Sequence, residues 1–477
     1  MIIRKTLKLA ATCCIAISAV SIIPSCSSDP NPVDYIQFVK GDATIQLNLS
    51  VAGTRADADA TPEEIKVSKV SVYIFDSNGK LETVKQNLDV KNGIIDKIET
   101  TSGLKTIYAV SAISPISAAT GMSITEFEAS LFSATQAYLR TTEGFVMIGK
   151  TGPQNVVKSA SAETMPASNS FTITLERTVA KVQVNCYLPY VSGTQFLFDS
   201  KVFSVRQTAK KMQVTANASD IKYDGSADNG TCAGYDFAEI PGYISAQLEE
   251  NPDKKFTADN CLYMSENIVE TPKTGNTTFV SFRTTVSLYS YYEYPDMWYD
   301  KNPSLKTDQY QARNGTFYAV GLVDRENGFI DYAVRSDHNN NIVCFINESD
   351  ANKYAGYLNK NEVQAMTVSE TEEQMKSVRA AIGTRAAGQY EVLTFVDGYV
   401  YYRINIRHTD ALGQQYKVCR NNYYKIDISS IKTLGFPSEA FLRPTKPDTP
   451  LDLKPSYWLG ASFKVSDWND IEQPTEL

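Results

Sequence analysis

Residues 44–51 read TIQLNLSV, an unbroken alternation of polar and apolar side chains. Successive side chains of a β-strand point to opposite faces, so this alternation is typical of a strand with one buried face. The apolar face would consist of Ile45, Leu47, Leu49 and Val51. We therefore predict a β-strand here that covers an apolar surface of the protein.

Similar patterns recur along the chain and indicate a fold that is mainly all-β. Residues 67–75 and 106–113 have strand-like sequences, and residues 76–79 (DSNG) form a turn signal. Residues 124–139 have apolar side chains at helical spacing and are predicted as a helix. Many short strands and few helices favour two β-sandwich domains with short helices and long loops, and we place their boundary near Arg177.

The overall composition fits a globular protein and excludes some functions. The chain has 477 residues, enough for two domains, and its 28 tyrosines favour pleated, half-buried surfaces. The net charge of −8 argues against nucleic acid as a partner, because phosphates require a basic surface. Beyond residue 26 the cysteines are odd in number, scattered and without a CxxC pair, which predicts neither a disulfide framework nor a zinc site.

The first 26 residues have the pattern of an export signal. Arg4, Lys5 and Lys8 precede an apolar stretch, residues 9–23, and a small residue then leads to Cys26. This order is typical of a lipoprotein signal, in which the cysteine thiol is diacylated and becomes the new N-terminus. The alternative is an ordinary signal peptide in which the cysteine is incidental. No other stretch is long and apolar enough to span a bilayer.

The predicted first strand is followed by small and polar residues. Residues 53–60 read GTRADADA, with Arg55 as their single basic residue. Exposed segments of this kind are preferred sites of proteolysis, although Arg55 could also be one more surface arginine. The tetrapeptide GTRA occurs again at residues 383–386, where we predict a flexible loop.

Few side chains suit catalysis or metal binding. The only histidines are His338 and His408, and no Gly-x-Ser-x-Gly motif accompanies them. Residues 337–341 (DHNNN) and Glu348 resemble part of a calcium loop, but Ile342 stands where that loop needs glycine, so a hairpin turn is favoured. We predict that the protein is not an enzyme and has no cofactor and no metal.

Aromatic residues crowd around Pro295. Four of them are candidates for a binding surface: Tyr291, Tyr292, Tyr294 and Trp298. Exposed aromatic rings stack on sugars or anchor partner proteins. The alternative, which we favour, is that half of these rings line a core and the others cover a loop.

Several motifs, in their order along the chain, resemble those of one family. They are VSVYIFDSNGKL at 70–81, LERTVAKV at 175–182, RNNYYKIDI at 420–428 and VSDW at 465–468. With the lipoprotein-like start and the GTRA that follows the first strand, they resemble the fimbrillin superfamily of Bacteroidota, the type V pilins. Within that superfamily the chain is most similar to the Mfa-type fimbrial stalk subunits.

The resemblance implies two transthyretin-like β-sandwich domains and a processing route. Residues 1–26 would be the signal peptide, 27–55 a propeptide with the first strand, 56–177 the N-terminal domain, 178–455 the C-terminal domain and 456–477 a tail. The precursor would be exported as a lipoprotein of the outer membrane. At the cell surface a trypsin-like, Arg-specific protease would cut between Arg55 and Ala56. The cut would release the first strand and open a groove.

The resemblance also implies what fills that groove. A strand from a neighbouring copy would enter it, which gives a head-to-tail polymer. The tail offers a donor strand, in which Phe463 and Val465 alternate and Trp468 and Ile471 add apolar anchors. The implied partners are other copies of the chain, accessory tip and anchor fimbrillins, the protease and membrane lipid, in a fimbria that supports adhesion.

Two other functions remain open from the sequence. An accessory tip or anchor subunit would share the fold, but an anchor would keep its first strand and lipid, and a tip would lack a donating tail. A surface lipoprotein that binds glycans would use the aromatic residues near Pro295. The long tail favours the stalk subunit.

Overall fold

This computed structural model describes residues 41–467 apart from a series of gaps. The gaps are 53–61, 113–115, 135–139, 142, 162–163, 187, 189–194, 217–230, 247–259, 295–303, 308–312, 327, 336–337, 362–365, 368–389, 409–415, 444 and 452–458. For residues 140–141, 304–305, 307, 360–361, 366–367 and 459–467 the description covers the backbone alone.

Strands dominate the described residues. The strands up to residue 213 are β1 (Ala43–Val51), β2 (Lys69–Phe75), β3 (Leu81–Asp89), β4 (Ile94–Thr100), β5 (Gly103–Ser111), β6 (Leu131–Ser133), β7 (Arg140–Thr141), β8 (Gly144–Phe145), β9 (Met147–Val156), β10 (Ser170–Arg177), β11 (Val179–Cys186), β12 (Phe196–Arg206), β13 (Thr208–Ala209) and β14 (Lys211–Gln213). The all-β prediction is confirmed.

The remaining strands follow in the second half. They are β15 (Phe237–Ala238), β16 (Ile244–Ser245), β17 (Cys261–Ser265), β18 (Phe279–Leu288), β19 (Ser290–Glu293), β20 (Ser304–Thr307), β21 (Phe317–Asp324), β22 (Phe329–Arg335), β23 (Asn341–Ile342), β24 (Cys344–Phe345), β25 (Met366–Thr367), β26 (Tyr390–Phe395), β27 (Tyr399–Asn405), β28 (Asn422–Ile431) and β29 (Leu459–Asp467). The α-helices are α1 (Ile124–Glu128) and α2 (Glu348–Asn361), and 3₁₀ turns span Pro62–Ile65, Ala167–Asn169, Val396–Gly398 and Glu439–Leu442.

The N-terminal half is built on one seven-stranded sheet. Its strand order is β3-β2-β5-β9-β10-β1-β4. The apolar faces of these strands meet in a core that includes Ile45, Leu47, Val72, Ile107 and Ile173. Burying these side chains removes apolar surface from water, which is the main stabilising contribution to such a sheet.

The C-terminal half contains two four-stranded sheets and one larger sheet. The strand orders of the small sheets are β17-β11-β28-β29 and β16-β12-β18-β27, and both contribute side chains to one core. Val182 and Ile426 come from the first of these sheets, and Phe282 and Tyr402 from the second. The third sheet has the order β20-β19-β24-β21-β22-β23, with β25 beside β22 and β26 beside β21.

The two halves have separate main cores, although Met212 and Tyr263 of the second half also belong to the first core. Val179 belongs to the first core and Ala180 to the second. The two residues before Val179 are fully buried. The domain boundary near Arg177 stays a prediction, as do the other boundaries given above.

Local chemistry explains two turns that the sequence predicts. Gly79 closes the DSNG turn at φ +69°, a conformation that suits glycine, and its N–H donates to the carbonyl of Asp76 at 3.0 Å. The hairpin between β22 and β23 turns at Asn339 and Asn340, which have φ values of 54° and 56°. Asparagine tolerates this left-handed region, so the hairpin prediction is confirmed. Glu348 begins helix α2.

The predicted helix over residues 124–139 is wrong for residues 129–134, and residues 135–139 lie outside the described part of the chain. Ser123 and Glu126 form a capping box that starts α1, but the helix ends after five residues. Phe127 fills an aromatic cluster from this helix, whereas Phe132 lies in β6, paired with Met212 of β14. Tertiary strand pairing therefore overrides the helical spacing of the apolar residues.

Two further features concern membranes and redox chemistry. Among the residues that the structure describes, no helix combines the length and apolar character needed to cross a membrane. In the same residues Cys186, Cys232, Cys261, Cys344 and Cys419 are thiols rather than members of disulfides.

Candidate functional site

The first strand lies inside its sheet, between two other strands. β1 pairs in parallel with β10, from Gln46 opposite Ser170 to Val51 opposite Leu175. On its other side it pairs antiparallel with β4, from Ala43 opposite Thr100. Among the described strands, β4 has β1 as its only ladder partner. We call the space between β10 and β4, which β1 fills, the lane.

The side chains of β1 divide between the core and the surface as the alternation predicts. Ile45 and Leu47 are fully buried and Val51 is 9% exposed, while Leu49 is half-buried. Ser50 points outward, where its hydroxyl lies 3.2 Å from that of Thr174. Each buried side chain of this kind contributes roughly 1.5–3 kcal/mol to the docking of the strand.

A buried amide holds the beginning of the lane. Asn169 immediately precedes β10 and is fully buried. Its Nδ2 donates to the backbone carbonyl of Thr44 at 3.0 Å and to that of Val157 at 2.7 Å, and its Oδ1 accepts from the N–H of Val157 at 2.8 Å. This amide therefore fastens β1 to β10 and to the end of β9.

A buried guanidinium holds the end of the lane. Arg177 is the last residue of β10, and its Nη1 donates to the carbonyl of Ala52 at 3.1 Å. The N–H of Ala52 donates in turn to the carbonyl of Leu175 at 2.8 Å. Arg177 also donates from Nε to the carbonyl of Glu64 at 2.8 Å and from Nη1 to Oδ1 of Asn421 at 3.4 Å. The Arg177 side chain thus contacts Ala52 before the predicted cut, Glu64 after it and Asn421 in the C-terminal half.

A buried acidic residue fixes the chain just beyond residues 53–61. The carboxylate of Glu64 is fully buried and lies 3.0 Å from Nζ of Lys181 on β11. It also accepts a hydrogen bond of 2.5 Å from the hydroxyl of Tyr263 on β17. Burial first, and then the neighbouring Cys261 thiol and Glu64 carboxylate, raise the pKa of Tyr263 well above its usual value, so the phenol remains a donor at neutral pH.

The last strand is held differently from the first. Among the described strands, β29 pairs only with β28, antiparallel, with Phe463 opposite Ile426 and Val465 opposite Tyr424. β29 is therefore an edge strand of its own chain's sheet. The tail predicted as a donor thus has a partner already over Leu459–Asp467.

Several predicted site residues lie outside the described residues. These are Cys26, Arg55, Ala56, Trp298, Trp468 and Ile471. Lipidation, cleavage and the outer part of the donor tail therefore stay predictions.

Two of the four candidate aromatic residues are buried in cores, in line with the alternative that we favour above. Tyr292 is 1% exposed and Tyr291 is 9% exposed, and they belong to two different hydrophobic clusters. Tyr294 is half-buried and packs at 6.0 Å, between ring centroids, against Tyr354 of α2. Tyr291 and Tyr292 do not form a platform because β19, which carries them, directs its side chains to two cores rather than to solvent.

Histidines and acidic residues form no metal centre in the described part of the chain. No group of three or more His, Cys, Asp or Glu side chains is close enough there to hold an ion. Nδ1 of His338 lies 3.3 Å from the hydroxyl of Tyr292, and Nδ1 of His408 lies 3.0 Å from that of Tyr424. Both histidines therefore contact tyrosines.

Sequence reasoning did not identify three residues that hold the lane or the chain beside it: Asn169, Arg177 and Glu64. A signal for Arg177 existed, because it continues the buried phase of Phe171, Ile173 and Leu175 along β10. An arginine in the buried phase of a strand requires buried acceptors. Asn169 and Glu64 lie in short turns, where no periodicity reveals burial.

Two family models match the sequence, and each covers one of the strands compared above. Residues 43–185 match the family described as major fimbrial subunit protein (FimA). Residues 393–474 match the family described as major fimbrial subunit protein type IV, fimbrillin, C-terminal. Both regions are fimbrillin sequence. The resemblance to the fimbrillin superfamily is thereby confirmed.

The FimA-type fimbrillin region contains the whole lane, including β1, β4 and β10, and the C-terminal fimbrillin region contains β28 and β29. The candidate site therefore lies within fimbrillin sequence. Both family descriptions name a major fimbrial subunit, which supports a structural fimbrial subunit rather than an enzyme.

Solved fimbrial structures resemble the fold over most of its length. A fimbrilin (fimA) from Porphyromonas gingivalis W83 is 15% identical, with a TM-score of 0.45 over 91% of this chain and 99% of that one. The tip fimbrial protein Mfa3 from Porphyromonas gingivalis is 14% identical, with a TM-score of 0.38 over 89% and 100%. A fimbrial assembly protein from Parabacteroides distasonis is 14% identical, with a TM-score of 0.28 over 57% and 88%. No curated protein matches the sequence.

Proposed function

We propose that this chain is the precursor of a fimbrial stalk subunit that polymerises after its first strand is removed. The precursor is exported as a lipoprotein through Cys26 and cut between Arg55 and Ala56 by an Arg-specific protease. β1 then leaves, and a strand from another copy takes the lane. The observation that carries the proposal is the position of β1, an apolar strand in the middle of a sheet, directly before the residues that contain Arg55.

The cost of losing β1 explains why the uncut chain stays a monomer. Without β1, β10 and β4 would both present unpaired backbone groups, and the apolar side chains beneath would meet water. Such an edge binds an added strand strongly. While the linker is intact, β1 remains tethered to the lane at high effective concentration and excludes a competitor.

The supply of the donor strand follows from the arrangement of the tail. Within the described part of the chain β29 is an edge strand with one partner, so it can leave β28 without disturbing another described strand. Residues 468–477 offer Trp468 and Ile471 as a second source of apolar anchors. We propose that residues 456–477 donate the strand, and the truncations described below decide which part enters the lane.

Limited proteolysis tests the proposal. The purified precursor is treated with a low dose of an Arg-specific protease and run on native gels, and the N-terminal residue is sequenced. We expect Ala56 at the new N-terminus and a ladder of polymers. The two GTRA sites supply a matched control: Arg55→Ala should remain monomeric, whereas Arg385→Ala should polymerise like the wild type. Polymerisation of Arg55→Ala, or a correctly cut chain that stays monomeric, would refute the proposal.

Two truncations locate the donor. A chain ending at Asp467 retains β29 and lacks Trp468 and Ile471, and a chain ending at Lys454 lacks both segments. If both truncated chains still form polymers after the cut, the tail is not the donor. If only the chain ending at Asp467 polymerises, β29 itself exchanges.

Accessory roles give different results in the same assay. An anchor subunit would keep residues 27–55 in fimbriae isolated from cells. A tip subunit would accept a strand after cleavage but would not extend the polymer. A glycan-binding surface lipoprotein has less support, because Tyr291 and Tyr292 are buried.

A further inference from the structure

The lane does not offer the same space at each inward position along β1. Ile45 and Leu47 are large and fully buried, whereas the side chain of Ala43, the inward residue before them, is a methyl group and is 3% exposed. Protein interiors are close-packed, so a larger side chain at this position would have to displace its neighbours. We call the place of Ala43 the small site.

The opposite face of β1 is also restricted at its beginning. Thr44 is 3% exposed, although Gln46 and Asn48 on the same face are half-buried. The N–H of Thr44 donates to the hydroxyl of Ser159 at 3.0 Å, and its carbonyl accepts from Asn169. A residue in the place of Thr44 is therefore enclosed, and a long charged side chain there would lose its hydration. We call the place of Thr44 the enclosed site.

The tail repeats this order of size and polarity. Residues 461–466 read ASFKVS, and residues 43–48 read ATIQLN. Both segments begin with alanine, continue with a hydroxyl residue, and then alternate large apolar residues with polar ones. The two segments therefore correspond one for one when Ala461 is set at the small site.

The two large apolar residues of each segment together have similar volumes. Phe463 is larger than Ile45, and Val465 is smaller than Leu47. A packed core tolerates best the exchanges that conserve total volume. The groove that β1 leaves can therefore accept this pair of residues with local repacking.

A shift of two residues either way loses this match. If the tail advanced by two residues, the small site would receive a phenylalanine, the enclosed site would receive a lysine, and a carboxylate would replace Leu47. If the tail were drawn back by two residues, an alanine would replace Ile45 and leave a cavity. Backbone groups repeat every two residues along a strand, whereas these side chains do not, so the side chains select the register.

The order of sizes also favours the direction of β1. If the tail were reversed about Phe463, Val465 would fall at the small site and Ala461 at the place of Leu47. The first place would be overpacked and the second would contain a cavity. In the direction of β1, the small residue of the tail meets the small site.

The donor chain must leave the lane just before Ala461. Leu459 would otherwise take the place of Gly41, where an added Cβ would lie 2.5 Å from the carbonyl oxygen of Thr100. A contact this short requires the backbone to move. Gly460 comes between the two residues and adopts turns that other residues avoid, so the tail can bend away from the lane there.

We propose that residues 461–466 of a second copy take the places of residues 43–48, one for one and in the direction of β1. The small site and the enclosed site select this register. The inference rests on the proposed function and deepens it, because it assigns the donor to β29 rather than to residues 468–477. The match ends before the half-buried Leu49, so recognition is concentrated at the beginning of the lane.

Cross-linking between copies tests the register. Asn48 lies opposite the exposed Thr172 in the pairing of β1 with β10. A chain with Thr172→Cys and Ser466→Cys should therefore form a covalent ladder when it is cut, assembled and mildly oxidised. Lys464→Cys and Trp468→Cys, each combined with Thr172→Cys, report the two shifts of two residues.

One of these three pairs should dominate. Ser466→Cys should give at least about tenfold more cross-linked product than Lys464→Cys or Trp468→Cys. Chains with a single substitution are the controls and should polymerise without cross-linking. A ladder dominated by either of the other pairs would overturn the proposed register. Polymers in which none of the three pairs dominates would overturn it as well, since another segment or the reverse direction would then fill the lane.

Peptides test the small site without altering the chain. A synthetic peptide of residues 459–467 is added in excess to the wild-type chain during cleavage, and the length of the polymers is measured on native gels. This peptide should fill the lane and shorten the polymers. The Ala461→Leu peptide should be at least about tenfold less effective, because the small site has no room for the larger side chain.

A matched peptide carries the same new side chain on the outer face. The Ser466→Leu peptide should act within about twofold of the unaltered one, because the place of Asn48 is open to solvent in part. Equal potency of the Ala461→Leu peptide and the unaltered peptide would contradict the proposal, since the small site would then select nothing.

The same experiments separate this inference from the proposed function. If cleavage is complete but no polymers form, β1 is not exchanged and both proposals fall. If polymers form and the peptide of residues 459–467 does not shorten them, strand exchange stands and the assignment of β29 as the donor is refuted.

Discussion

The first and last strands of the described fold are held in opposite ways. β1 has a strand on each side and a side-chain contact at each end, whereas β29 has only β28 beside it among the strands that the structure describes. The number of neighbours decides how easily a strand detaches, because every paired side must be broken before it can leave. A central strand therefore needs an event such as proteolysis, while an edge strand can open on its own.

The largest effect should come from the residue that anchors the chain after the cut. Glu64→Gln removes one partner of a buried ion pair with Lys181 and should lower the free energy of unfolding by about 3–5 kcal/mol, measured by urea denaturation. Because Glu64 follows Arg55, the loss should be present before and after cleavage. Its exposed neighbour is the control, and Glu63→Gln should change little. Equal effects of the two variants would contradict the anchoring role.

A core residue of β1 should behave differently on cleavage. Leu47→Ala should destabilise the uncut precursor by about 2–5 kcal/mol, because it leaves a cavity at a fully buried position. Ser50→Ala, on the outer face, should have little effect. Once the protease has cut and another strand has replaced β1, Leu47→Ala should no longer matter. A persistent effect in the polymer would mean that β1 has stayed in its lane.

Hydrogen exchange compares the two strands in one sample of uncut precursor. Amides of β29 should exchange at least about tenfold faster than those of β1, because an edge strand opens without breaking a second ladder. Mass spectrometry of peptides covering residues 43–51 and 459–467 gives the ratio. Equal protection would show that β29 is as firmly held as β1 and would weaken its candidacy as a donor.

The smallest effect that we expect is a loss of stability at low pH near β4, one of the two strands that border the lane. Burial raises the pKa of Glu82, but hydrogen bonds from Lys105 and Thr101 outweigh it and lower the pKa overall. A lowered folded-state pKa stabilises the fold above the unfolded-state pKa, and this stability is lost as the pH falls through the folded-state value. Thr101 directly follows β4 and donates to Glu82, so protonation of Glu82 at low pH should weaken the attachment of β4 to the sheet. The urea midpoint should fall less on acidification in Glu82→Gln than in the wild type.

The predictions from sequence succeeded where alternation was long and failed where tertiary contacts decided. The alternation in TIQLNLSV predicted the bounds of β1 to within one residue, because eight alternating positions leave little ambiguity. The stretch from Ile124 failed because Phe132 follows a turn and pairs with β14, which no local pattern shows. Tyr291 and Tyr292 are similarly ambiguous, since consecutive residues of a strand can face two different cores.

The site was predictable only in part, for a related reason. The apolar residues of β1 follow from their spacing, but its neighbours β10 and β4 lie more than a hundred and about fifty residues away along the chain. The contacts of Asn169 and Arg177 depend on which carbonyls the fold brings to them. Such contacts are set by topology, which a single sequence specifies only indirectly.

One consequence follows from the two walls of the lane. β1 runs parallel to β10 and antiparallel to β4, so the walls themselves point in opposite directions. A strand that entered the lane in either direction would be parallel to one of these two strands and antiparallel to the other. Reversing that strand would exchange its parallel and its antiparallel partner, so in the proposed polymer the contribution of the backbone to the direction of the donor strand would depend on how differently β10 and β4 accept each orientation.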